Sequence, residues 1–303
     1  MYPSINSGYV KSSRQTLEKR IIMKTGVIDV GGGMRGVYGA GIFDYCMEND
    51  IQFDYGAGVS AGSANIVSYL AGQYHRNYSY YIEYSVRKEY MGLGNFLKTR
   101  NFINLDYIYG TLSNSDGEYP LDYKAAKSSG KEFVIVVTNA KTGKPHYFTM
   151  DDLKQDDYGP IKCSSCVPVV NRPYPFKGRF FYDGGISDPI PFKKAFADGC
   201  ERLVIILTRP KDYLRTTKND RRLSLLLKRK YPESAKKLAT RAALYNEQLK
   251  TAVKLEKEGK LLIVAPKSIE GLGTLKSSNT DGLIKLYDMG KKDAVAVKKF
   301  LKS

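Results

Sequence analysis

One serine in this chain has a glycine two residues away on each side, in the run Gly58-Val59-Ser60-Ala61-Gly62. It stands between a stretch that reads as extended and a run of small, helix-compatible residues. A strand-to-helix turn this sharp tolerates only small neighbours, and it lifts the hydroxyl clear of the backbone. It also aims free N–H groups and the positive end of the new helix dipole at one point, which favours an anion forming there. Those are the needs of acyl transfer, in which a hydroxyl attacks a carbonyl and N–H donors hold the oxyanion. A Gly/Ser/Ala cluster is also what any tight turn looks like, so the pentapeptide needs support from elsewhere in the chain.

Two further motifs supply it. Gly31-Gly32-Gly33-Met34-Arg35-Gly36 follows a short apolar strand and opens a helix. Its G-x-G-x-x-G pattern fits a dinucleotide-binding turn, which also needs an acidic residue at the end of the next strand. Asp50 and Asp54 fall near that distance but before the strand or at its start. The same glycines offer a row of N–H groups at a helix N-terminus, as an oxyanion hole requires. The third motif, Asp183-Gly184-Gly185, closes the apolar stretch Arg179–Tyr182. There the glycines let the chain turn and leave the carboxylate facing open space, although Asp-Gly-Gly is also an ordinary turn sequence.

A serine hydroxyl needs a positioned base, most often histidine. The chain has two, His75 in a polar stretch and His146 on an expected hairpin, and each reads as a surface or satisfied side chain. Asp183 is the better candidate. In a parallel sheet its strand would end on the same side as the one that delivers Ser60.

Taken together and in this order, the three motifs resemble those of the patatin-like phospholipases over roughly residues 24–210. The resemblance implies a three-layer α/β/α sandwich with a mostly parallel central sheet, and a lipid acyl hydrolase that uses neither metal nor cofactor. Ser60 would match the nucleophile and Asp183 its partner in a Ser-Asp dyad. Gly31, Gly32 and Gly33, with Arg35 beside them, would match the oxyanion hole. Gly36, Gly58, Gly62, Gly184 and Gly185 complete the motifs. An acyltransferase or thioesterase with the same serine, a nucleotide-binding protein using the glycine turn, and an idle lipid-surface binder remain alternatives.

The elements that must position these residues can be read from apolar spacing. Strands are expected at Thr25–Val30, Ile51–Tyr55, Glu132–Val137, His146–Thr149, Arg179–Tyr182, Leu203–Leu207 and Leu261–Ala265, with helices at Val37–Met47 and Ser63–Ala71. Two strand–turn–helix units in series predict a parallel sheet with helices on its faces. Residues 72–130 are rich in tyrosine and read as helices broken by loops. Such a cluster suits a substrate groove or a partly wet core. Basic helices are expected near 221–230 and 234–258, and residues 1–23 read as a loose tail. Residues 211–303 are expected to pack on the same domain.

Lys and Arg total 48 against 31 acidic residues, a net charge of +17 over 303 residues. Residues 201–260 hold 17 basic and 7 acidic side chains. A basic face of this kind attracts polyanions, and without a zinc-finger or RNP-like pattern an anionic lipid surface is a better expectation than nucleic acid. The four cysteines do not form a disulfide framework, and Cys163-Ser-Ser-Cys166 is a lone C-x-x-C pair with little histidine to join it. No apolar run has the length of a membrane span and the first residues lack a signal-peptide core, so a cytoplasmic protein, peripheral to membranes at most, is expected.

Overall fold

The computed structural model describes residues 23–269, 271–273, 275 and 279–302. Apart from Met23, the expected N-terminal tail lies outside them. Eight strands form one sheet: β1 (Thr25–Asp29), β2 (Tyr55–Val59), β3 (Glu132–Asn139), β4 (Pro145–Thr149), β5 (Tyr174–Phe176), β6 (Arg179–Asp183), β7 (Arg202–Ile206) and β8 (Leu261–Val264). They lie in the order β5-β6-β3-β2-β1-β7-β8, with β4 also paired to β3. β3, β2, β1, β7 and β8 are mutually parallel, and β4, β5 and β6 join antiparallel.

The parallel strands are short apolar runs because both faces of the sheet are covered. Val27, Ile135, Val137, Val204 and Ile206 point to one face, where they join Val37, Phe43 and Ile66 from the helices α1 (Val37–Glu48) and α2 (Ala61–Leu70). Ile28, Val134, Val136, Leu203 and Ile205 point to the other, against Phe192, Tyr245 and Leu249. The result is a three-layer α/β/α arrangement with a mostly parallel sheet.

The helix Thr280–Asp293 lies on α1. A Cβ on Gly41 would stand 2.1 Å from the Tyr287 carbonyl oxygen, and one on Gly290 would stand 2.1 Å from that of Tyr38. The two backbones therefore touch only because both positions lack a side chain. Around this contact the Tyr287 hydroxyl donates to Asp44 at 2.6 Å and the Tyr38 hydroxyl to Asp293 at 2.8 Å.

The strand leading to Ser60 is Tyr55–Val59, not the expected Ile51–Tyr55. Gly56 and Gly58 disguise it, since glycine disfavours strands. Both are required by what covers the strand: a Cβ on Gly56 would fall 2.7 Å from Ile66 Cγ2, and one on Gly58 2.4 Å from Ser63 Cα.

β6 is antiparallel, so the carboxyl ends of parallel strands do not explain where Asp183 lies. Register does. β4 pairs with Val134–Thr138 and fills one edge of β3. β2 pairs with residues 132–136 and β6 with residues 137–139, so these two strands share the other edge end to end. They run towards each other. Val59 is level with Val136 and Asp183 with Val137, which brings Ser60 and Asp183 face to face where the two strands stop.

Candidate active site

Ser60 turns the chain from β2 into α2 with φ 56° and ψ −131°, a backbone conformation that costs a non-glycine residue on the order of 1–3 kcal/mol. The surroundings hold it there. Its N–H donates to Ser164 Oγ at 2.8 Å, and Ser164 Oγ donates to the Val136 carbonyl at 2.7 Å while Ser63 Oγ reaches it at 3.1 Å. Ser164 thus ties the turn to β3. Nothing in its local sequence marks it for this, since it ends the short helix Gly159–Ser164 more than a hundred residues away.

The Ser60 side chain is near enough to the Asp183 carboxylate to lower its pKa. The Gly185 N–H donates to Asp183 Oδ1 at 2.7 Å. Asp183 itself is held by its N–H on the Cys166 carbonyl at 2.8 Å and by Thr138 Oγ1 on its own carbonyl at 2.8 Å. Burial raises the Asp183 pKa above the ordinary carboxylate range. The nearby Ser60 side chain and the Gly185 hydrogen bond, with the charges of Arg241 and Arg215, oppose that rise without cancelling it. Gly184 is small because a Cβ there would stand 2.2 Å from the Val136 carbonyl oxygen.

Gly31, Gly32 and Gly33 have φ of 62°, 128° and 59°, a run of left-handed backbone that places them beside the serine turn. A Cβ on Gly31 would lie 2.2 Å from the Val59 carbonyl oxygen and 3.0 Å from the Ala61 nitrogen. One correction to the expected donor set follows. The Gly31 N–H is turned away to Asp29 Oδ1 at 2.8 Å, so Gly31 shapes the turn and does not present its N–H to the site. Gly32 and Gly33 precede and open the 3-10 turn Gly33–Gly36, where N–H groups lack intrahelical partners. Arg35 is buried, and its Nε donates to the Thr208 carbonyl at 3.2 Å. Thr208 Oγ1 in turn donates to the Gly31 carbonyl.

Asp29, which the sequence did not single out, anchors the whole turn. It accepts from Gly31 and, at 2.8 Å, from Asn65 Nδ2, and burial pushes its pKa up to about 6. Asn65 also donates to the Gly36 carbonyl at 2.9 Å and accepts from the Tyr81 hydroxyl at 3.1 Å. A Cβ on Gly62 would lie 2.2 Å from the Asp29 carbonyl oxygen, and one on Gly36 would lie 2.3 Å from the Tyr81 hydroxyl. Asp54, which a dinucleotide site would need beside the glycines, instead accepts from the Thr25 N–H at the opposite end of β1.

Ser60, Asp183 and the glycine turn open on a cavity of about 330 Å³. Part of the wall is apolar and aromatic, with Tyr81, Tyr90, Met91, Ile108, Tyr109 and Val167. Another part is basic, with Arg35, Arg209, Arg215 and Arg241. Part of the tyrosine-rich stretch is thus groove lining, and part is core, as with Tyr84.

Neither histidine lines the cavity. His75 stacks on Tyr74 at 4.2 Å and sits 3.8 Å from Asp44, while His146 on β4 packs on Phe148 at 4.6 Å. Cys163 and Cys166 are free, buried thiols whose pKa burial raises. The pair serves packing, and through the Cys166 carbonyl it holds Asp183 in place. Among the described residues no helix is long and apolar enough to cross a membrane.

A family model described as patatin-like phospholipase matches residues 30–196, and one described as a domain of unknown function (DUF6363) matches residues 231–302. The uncharacterized protein YjjU of Escherichia coli K12 is 31% identical over 185 residues, which cover 59% of this chain and 50% of YjjU. The chain thus matches about half the length of that curated relative. The crystal structure of VipD from Legionella pneumophila aligns with a TM-score of 0.44 at 13% identity, covering 91% of this chain and 66% of VipD. The first family model takes in more than half of the chain, including the glycine turn, Ser60 and Asp183, and the chain belongs to the patatin-like phospholipase family.

Proposed function

We propose that the protein is a serine acyl hydrolase that cleaves carboxylic esters of phospholipids or other lipids through a Ser60–Asp183 dyad. The observation that carries this reading is the convergence of Ser60 and a partly buried Asp183, where β2 and β6 stop, on one cavity with an apolar part to its lining. Asp183 takes the hydroxyl proton as Ser60 Oγ attacks the ester carbonyl, and the carbonyl oxygen becomes the oxyanion. The N–H groups of Gly32 and Gly33 receive that oxyanion, with Arg35 bracing the turn. As the C–O bond breaks, Asp183 gives the proton to the leaving alcohol, and an acyl-Ser60 ester remains. Asp183 then takes a proton from water, which attacks the acyl-enzyme, and returns it to Ser60 Oγ as the free acid departs.

Burial suits Asp183 to this role. A carboxylate of ordinary pKa is too weak a base for a hydroxyl, and raising its pKa moves it towards the range in which it can both take and give a proton. An active-site-directed fluorophosphonate is expected to label the protein at one position, Ser60. Mapping the label to another residue, or finding none, argues against the proposal.

The same reading places the protein at a lipid surface. Leu223 lines the cavity, and Leu225 and Leu226 beside it on the helix Thr217–Leu227 are 67% and 70% exposed. Arg221, Arg222, Lys228 and Arg229 flank them. Apolar side chains set among basic ones suit an anionic bilayer, where each basic residue adds about 1 kcal/mol. Sedimentation with anionic vesicles should exceed that with neutral ones and weaken as salt rises. Equal binding to both would count against this placement.

A further inference from the structure

Apart from Arg35, the basic wall of the cavity is built by chain outside the patatin-like match. Arg209 follows β7, and its guanidinium lies over the Tyr213 ring at 4.2 Å. Its Nε is buried and has no hydrogen-bond partner among the described residues. Arg215 lies over the Tyr245 ring at 4.8 Å, and its backbone is pinned on both sides by Asn246, which accepts from its N–H at 2.9 Å and donates to its carbonyl at 3.0 Å. Arg241, on the long helix Pro232–Lys257, is held by both oxygens of Asp220, at 3.1 Å from Nε and 2.5 Å from Nη2. Arg35 closes the group from the glycine turn.

The charges of this wall do not all cancel. Asp220 matches Arg241, no carboxylate among the described residues pairs with Arg209 or Arg215, and the one carboxylate among the described cavity-lining residues is Asp183. Burial lowers Arg35 and Arg215 to about 10, and the other arginines push them the same way. They remain charged at neutral pH and repel one another. Arg76, also on the lining, is different in kind, being fully engaged by hydroxyl and carbonyl oxygens of Ser68, Tyr80, Ser113, Tyr119 and Pro120. Arg209 and Arg215, held over aromatic rings with no carboxylate among the described residues paired to them, are arranged for an anion that arrives from outside.

We infer that Arg209, Arg215 and Arg241, backed by Arg35, form an anion subsite that receives the phosphomonoester group of an acylated substrate while its ester lies at Ser60 and its acyl chain on the apolar wall. A phosphomonoester brings a charge of roughly −1.5 to −2 at neutral pH and three acceptor oxygens. This matches the two unpaired charges of Arg209 and Arg215. A phosphodiester with a choline head brings one negative charge and turns a cation towards the arginines. For the ester the inference rests on the acyl-hydrolase reading, but for the phosphate it does not.

The test compares kcat/KM on three esters with one acyl chain, each below its micelle concentration: 1-acylglycerol 3-phosphate, the corresponding phosphocholine, and the monoacylglycerol. The phosphomonoester should be favoured over the monoacylglycerol by about a hundredfold, with the phosphocholine far below the phosphomonoester. Arg209→Gln and Arg215→Gln, each shown by its melting curve to be folded, should reduce that ratio about tenfold or more, the scale of a lost hydrogen bond to a charged group. A ratio near one in the unaltered protein, a phosphocholine cleaved as well as the phosphomonoester, or a ratio that neither variant changes overturns the subsite.

Calorimetry with an ether-linked 1-alkylglycerol 3-phosphate gives a readout that needs no turnover. Tight binding that weakens in the variants, in a protein that cleaves none of the esters, refutes the hydrolase reading and supports the subsite. Binding that the variants leave unchanged overturns the subsite. Glycerol 3-phosphate competing as well as the ether lipid would show a site for free phosphate esters and overturn the acylated ligand.

Discussion

Ser60→Ala is expected to lower kcat/KM for a soluble p-nitrophenyl ester by at least about a thousandfold, equivalent to roughly 4 kcal/mol of barrier. No other serine among the described residues is so placed. Ser63 and Ser164 lie within hydrogen-bonding reach of the same turn, but both hydroxyls are spent within it, Ser63 on Ser164 and Ser164 on the Val136 carbonyl. The substitution keeps the backbone N–H that bonds Ser164, and alanine carries the same conformational cost as serine at this φ, so the fold should persist. Retained turnover in a folded Ser60→Ala protein would remove Ser60 as nucleophile.

Asp183→Asn should reduce turnover nearly as far, because the amide keeps the shape and takes away the lone pair that accepts the serine proton. Burial is the largest cause of the raised Asp183 pKa, so its ionised form is disfavoured in the folded protein. Stability linked to this group is complete below the unfolded pKa and is lost as pH rises through the folded one. The uncharged asparagine avoids that loss, and the variant should melt no lower than the native protein at alkaline pH. Activity runs the other way. The base must be ionised, so kcat/KM should climb with pH along an acid limb displaced upward from the ordinary carboxylate range. His75→Ala and His146→Ala should each retain most activity, since both rings lie away from the cavity. A folded but inactive histidine variant, or near-native turnover in Asp183→Asn, would replace the dyad with another arrangement.

The residues brought together in the cavity were legible to different degrees. Ser60 and the glycines around it stand close in sequence, and their pattern states a local backbone need that holds in any fold. The strand before them was misplaced because Gly56 and Gly58 answer to a helix packed above, a tertiary demand that overrides strand propensity. Asp183 could be picked out by its following glycines, but the reason it meets Ser60 is the antiparallel register of β6, which no local pattern encodes. Asp29 looked like one residue of an apolar strand, and only the fold brings Asn65 to it. Apart from Arg35 in the glycine turn, the arginine wall had no motif. Arg209, Arg215 and Arg241 could be read only as net charge until the fold placed them on one cavity.

The end-to-end meeting of β2 and β6 decides how function would be lost. β6 holds β3 through only three residue pairs, on the part of that edge which β2 leaves free. The proposed dyad is therefore exposed to the smallest opening of the sheet: fraying at the tip of β6 separates its two members while the five parallel strands keep their hydrogen bonds. On this reading catalytic competence belongs to a seam of the protein, and it can be extinguished in molecules that by every bulk measure of structure are still native.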